Sequence, residues 1–110
     1  MRLDIHATQF IAELHEAYKK HELLEFTERY IGRDPFRFFI DTENKTYRGF
    51  TALLGRYIVT VDRHDAEVTE NWGSGDFICY LPAEIRRALY ELGKDCFDID
   101  AVDPEDILEV

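Results

Sequence analysis

The chain is short of the residues from which most catalytic sites and disulfide scaffolds are built. Its 110 residues include two cysteines (Cys79 and Cys96), three prolines, one methionine and a single serine. Two cysteines are too few for a disulfide framework, so the expected protein is soluble and cytoplasmic, with reduced thiols. No apolar run approaches the roughly 20 residues of a membrane span. No apolar stretch follows Met1–Asp4 to make a secretory signal. Bases are scarce as well: 13 Lys and Arg stand against 23 Asp and Glu, a net charge of -10. That balance excludes direct nucleic-acid binding through a broad basic surface and disfavours an anionic membrane surface. The length fits one domain spanning residues 1–110.

Motifs are equally thin. There is no Gly-x-Gly-x-x-Gly and no Walker pattern to cradle phosphates. His6, His15, His21 and His64 form no i, i+4 pair and no Cys-x-x-Cys exists, so neither a metal nor another cofactor is expected. Ser74 lies in Gly73-Ser74-Gly75, which is not the Gly-x-Ser-x-Gly elbow and reads as a hairpin loop. Cys79 falls inside an expected strand, the place of a small buried apolar residue, and no spacing brings His64 to it as a base. Asp62 and Asp65, which flank His64, read as a solvated turn. No catalytic residue is assigned, and the protein is expected not to be an enzyme.

What is present is order along the chain. Phe10, Ile11, Leu14, Ala17 and Tyr18 follow helical spacing, with Thr8 as a candidate cap. Leu23, Leu24, Thr27, Tyr30 and Ile31 repeat that spacing in another phase, so either two helices meet near Lys19-Lys20-His21 or one long helix buries two faces. Gly32 and Asp34-Pro35 make a stop.

From Phe36 the period changes to two. Phe36, Phe38 and Ile40 alternate with Arg37, Phe39 and Asp41, and Thr42–Lys45 reads as a hairpin turn with Asn44 left-handed. Strands are expected over 46–50 and as far as Leu53, over 57–61, over a stretch in which Ala66, Val68 and Trp72 share a face, and over 77–81. Pro82 opens a helix with Ile85, Ala88, Leu89 and Leu92 on one side, and Gly93 is expected to end it. The predicted class is α+β: an N-terminal helix or helical hairpin, an antiparallel meander of four to five strands, one C-terminal helix, then an acidic strand or turn segment.

That last segment holds most of the charge. Residues 95–110 carry seven acids and no base. Phe97, Ile99 and Ala101 alternate with Asp98 and Asp100, which predicts a strand with one apolar and one acidic face. Asp103-Pro104-Glu105-Asp106 predicts a helical turn capped by Asp103. On a strand, Asp98 and Asp100 would lie about 6.6 Å apart, close to the ~7 Å between successive phosphates of a nucleic-acid strand. Asp95, Asp98, Asp100, Asp103, Glu105 and Asp106 therefore form the candidate partner-binding patch. Eight Phe, six Tyr and one Trp accompany it. Most Phe are expected in the core, with Tyr47 and Tyr57 as anchors on the binding surface.

In this profile the chain is similar to phage or mobile-element inhibitors such as anti-CRISPR proteins, and to toxin-neutralising immunity proteins. The resemblance is one of composition, covers no motif and transfers no residue. It implies a small acidic inhibitor acting as a nucleic-acid mimic. Such an inhibitor would block the basic site of a protein partner, either a nucleic-acid-binding complex or a nuclease. A small ligand-binding or enzymatic α+β domain using His64, Cys79 and Ser74 is the alternative, and a homodimer paired through an edge strand is a third.

Overall fold

The phase slip after Lys19 becomes a break between two helices, α1 (Ile5–Lys19) and α2 (Leu23–Tyr30). At the break His21 turns through φ 57°, and the amides of His21 and Glu22 close back on the carbonyls of Tyr18 and Ala17. These coordinates are a computed structural model that describes residues 5–30, 36–71 and 75–109. The stop expected at Gly32 and Asp34-Pro35, Trp72 as a strand residue, and the Gly73-Ser74 loop lie outside the described residues. Thr8 does not cap α1; it lies inside the helix, which already begins at Ile5.

Five strands follow as a meander: β1 (Phe36–Asp41), β2 (Thr46–Leu54), β3 (Tyr57–Asp62), β4 (Ala66–Glu70) and β5 (Phe77–Tyr80). Each pairs antiparallel with the next, as short turns require. The β1–β2 turn is organised by the Asp41 carboxylate, which accepts from the amides of Glu43 and Asn44 and from the Asn44 side chain. Lys45, and not Asn44, takes the left-handed conformation there, at φ 54°. Asn44 is instead held by its side-chain bond to Asp41. The β2–β3 turn has two residues, with Gly55 at φ 65° in the position that needs positive φ.

Two elements complete the chain. Helix α3 (Ala83–Cys96) follows Pro82, and β6 (Ile107–Glu109) lies parallel to β1 at the sheet edge. The sheet order is β5-β4-β3-β2-β1-β6, so a parallel sixth strand extends the expected meander. Gly93 does not end α3. It is buried inside the helix because a Cβ there would meet Phe50 Cδ1 at 2.3 Å and the Tyr47 hydroxyl at 2.6 Å.

The helices cover one face of the sheet, with α3 across β2 and β3 and α2 against β2. Phe38, Ile40, Phe50, Leu54, Val59, Val61 and Val68 point to that side and meet Phe10, Leu14, Phe26, Ile85 and Leu89 in one core. Phe39 and Phe77 are exceptions to the expectation that most Phe lie in the core: they alternate onto the opposite face, and Phe77 is 37% exposed. No helix among the described residues is long and apolar enough to cross a membrane.

Candidate functional site

The acidic patch is carried by the ribbon that joins α3 to β6. Helix α3 ends with the Phe97 amide bonded back to the Lys94 carbonyl, and the chain then turns instead of extending. The amides of Ala101 and Val102 both reach the Asp98 carbonyl, at 3.0 and 2.8 Å. The Asp98 carboxylate accepts from the Asp100 amide at 3.1 Å. Residues 97–101 are therefore not the expected strand. An aspartate that captures the amide two residues on offers the backbone a local turn in place of a ladder. The apolar and acidic alternation holds in part: Phe97 and Ile99 are half-buried against the core and Asp98 and Asp100 are exposed, but Ala101, expected on the apolar face, is exposed as well. With the strand goes the regular phosphate-like step between Asp98 and Asp100. What remains is charge density.

The second half of the ribbon follows expectation. Asp103 caps a short 3₁₀ turn, Pro104–Asp106, by accepting from the Glu105 amide at 3.0 Å. The strand absent at 97–101 appears at Ile107–Glu109, where Ile107 pairs with Phe38 and Glu109 accepts from the Thr42 hydroxyl at 2.9 Å. The ribbon is held down by apolar contacts. The Phe97 ring lies 5.4 Å from Phe38 and 5.7 Å from Tyr47, and Val102 and Ile107 pack on the same core.

Asp95, Asp98, Asp100, Asp103 and Glu105 are exposed and Asp106 is half-buried. Among the described residues no Lys or Arg pairs with any of them. Between the ribbon and the sheet lies a cleft of about 390 Å³. Phe36, Phe38, Val102 and Cys96 line it, and Asp103 and Asp106 form its anionic wall. Burial pushes the Cys96 thiol up, and the charges of Asp95 and Glu28 push it the same way, so it stays protonated and a poor nucleophile.

The tyrosines predicted as anchors are not on this surface. Tyr47 is 6% and Tyr57 is 4% exposed. Tyr47 donates to the Tyr90 carbonyl, and the Tyr57 ring packs at a tilt on Phe10, centroids 4.5 Å apart. Both sit at core-facing positions of their strands, where an aromatic ring fills the gap between sheet and helix. Among the tyrosines whose burial is described, the exposed one is Tyr80, at 65%, on the edge strand β5. Strand alternation locates it, because Cys79 pairs with buried Val68 and Tyr80 must face the other way.

Of the residues of the enzymatic alternative, the two that are described line no common cleft. His64 is exposed in the β3–β4 turn, Cys79 lies within β5, and Ser74 is outside the described residues. Burial raises the Cys79 thiol, opposite to the shift a nucleophilic cysteine needs. Neither His64 nor Cys79 lines the cleft above or the smaller one of about 230 Å³ between α1 and the β2–β3 turn. Among the described residues no three His, Cys, Asp or Glu side chains converge to hold a metal. Fold and site together define a two-layer α+β domain with an acidic ribbon along one edge. Comparison with protein-family models, with curated proteins and with solved structures finds no match.

Proposed function

We propose that this protein is a protein-binding domain without catalytic chemistry of its own. Its acidic ribbon docks on a basic surface of a partner, such as the nucleic-acid site of a nuclease or of a nucleic-acid-binding complex, and blocks it. The observation that carries this reading is a set of five exposed carboxylates, Asp95, Asp98, Asp100, Asp103 and Glu105, on an ordered ribbon with no neutralising base among the described residues. Such a field steers a cationic partner and speeds its approach. The ribbon is pinned by Phe97, Val102 and Ile107 before any partner arrives, so little ordering entropy opposes binding. The cleft suits one partner side chain: the stem of an Arg or Lys would lie on Phe36 and Val102 with its cation at Asp103 and Asp106.

The test is capture from lysate with the wild type and with a D98N/D100N/D103N/D106N variant checked for fold by circular dichroism. Expected is a basic partner bound by the wild type at low salt, released at high salt, competed by DNA or RNA, and lost by the variant. A partner held equally well by the folded variant, or no nucleic-acid-binding partner at either salt, overturns the reading.

A further inference from the structure

Among the described residues no helix covers the other face of the sheet, and its residues are arranged in rows by the strand register. One row runs Arg37, Thr51, Thr60, Glu67, Tyr80 across β1 to β5, each residue directly opposite the next. The adjoining row runs Leu53, Ile58, Thr69, Phe77 across β2 to β5. Leu53 is 45% exposed, Phe77 37% and Tyr80 65%. The open face of an antiparallel sheet is ordinarily polar, and this one shows water a band of large apolar groups.

Two of its charges, Arg37 and Glu67, are placed symmetrically. Arg37 stands one strand outside Thr51, and Glu67 one strand outside Thr60, so the two lie equally far from the β2–β3 seam in the same row. Among the described residues neither is in an ion pair. A two-fold axis parallel to the strands above that seam lays β1 of one copy over β4 of the other, and β2 over β3. That operation sets Arg37 against Glu67 of the second copy twice, Thr51 against Thr60, and Leu53 against Ile58. It also brings Tyr80 to the β6 edge, level with the start of that strand, since Phe38, one residue past Arg37, pairs with Ile107. Packed sheets lie about 10 Å apart, a gap that an Arg and a Glu reaching from opposite sides can close. An isologous interface needs a surface complementary to itself, and this face has that property in charge and in apolar content.

We propose that the open face of the sheet is the interface of a homodimer, sealed by two Arg37–Glu67 pairs between copies and by Leu53 packed on Ile58. The acidic ribbon stays uncovered in this assembly, because it is anchored through Phe97 to Phe38 and Tyr47 on the helix side.

Sedimentation equilibrium of the full chain over a wide concentration range tests the proposal, with R37E, E67R, L53K and the R37E/E67R swap compared by circular dichroism for fold. The expected result is a wild-type dimer. Each single charge reversal weakens its dissociation constant about tenfold or more, since it opposes like charges twice, and L53K weakens it as well. The swap restores it to within about threefold of the wild type. A wild type that is monomeric at every concentration overturns the proposal and leaves the face to a different protein. A dimer indifferent to the single reversals, or a swap that does not recover, overturns it as well.

Discussion

The Tyr47 hydroxyl donates a hydrogen bond to the Tyr90 carbonyl oxygen across 3.0 Å. The two rings lie 4.9 Å apart, so one contact ties the start of β2 to the middle of α3. Tyr47→Phe keeps the ring and removes the bond, at an expected cost of about 1 kcal/mol, read as a lower urea midpoint.

The same hydroxyl makes stability sensitive to alkali. Burial, then the neighbouring Tyr90 and Glu91, push the Tyr47 phenol far above its ordinary value. The unfolded chain ionises this tyrosine near pH ~10 while the folded protein keeps its proton. Above that pH the unfolded state binds fewer protons, and stability falls as pH rises. Urea midpoints measured between about pH 9 and 11 should decline more steeply for the wild type than for Tyr47→Phe.

Gly93→Ala tests the close approach of α3 to the sheet. An alanine favours a helix interior over glycine by about 1 kcal/mol. Its methyl group would meet Phe50 Cδ1 at 2.3 Å, and overpacking of that kind costs about 1–3 kcal/mol. The expected net effect is destabilising; a rise in melting temperature would show that α3 can lift from the sheet without loss.

Asp41 holds the β1–β2 turn, and its bonds to the Asn44 side chain and amide keep its carboxyl below the usual value. A depressed folded value gives stability above the unfolded carboxylate's range, and that stability is lost as pH falls through the folded value. Asp41→Ala should therefore melt lower than the wild type at neutral pH, with the difference shrinking in acid.

Phe97→Ala should free the ribbon while leaving the meander intact, since the ring packs on Phe38 and Tyr47. A loss of about 2 kcal/mol is expected for this half-buried phenylalanine. Amide exchange should accelerate over residues 98–109 and stay unchanged in β3. Equal acceleration in both would make the ribbon part of the cooperative core.

The helical phase slip near Lys19, though not whether it parts two helices or turns one, and the strands of the meander are legible in the sequence, because those patterns arise within each element. Features that a distant residue decides are not. Gly93 looks like a stop until Phe50 and Tyr47 stand against it. Tyr47 and Tyr57 look like anchors until the helices cover them. Residues 97–101 have a strand's alternation, but the Asp98 carboxylate finds the Asp100 amide first. The three residues of β6 gave no period to read, and their pairing depends on β1, far away in sequence. Of the candidate patch, the six acidic residues are at the surface or half-buried there, and both tyrosines are not.

The parallel pairing of β6 with β1 also bears on biosynthesis. Thr42 and Glu109, bonded beside that pairing, are 67 positions apart. At roughly 5–20 residues per second a ribosome takes about 3–13 s to cover that distance. Through that interval the outer edge of β1, with Phe36, Phe38, Phe39 and Ile40, waits without its neighbour. Arg37 within the strand and Asp41 at its end are charges of the kind that disfavour pairing between unfinished chains at such an edge. The carboxylates that precede β6 add like charge beside the edge that β6 closes.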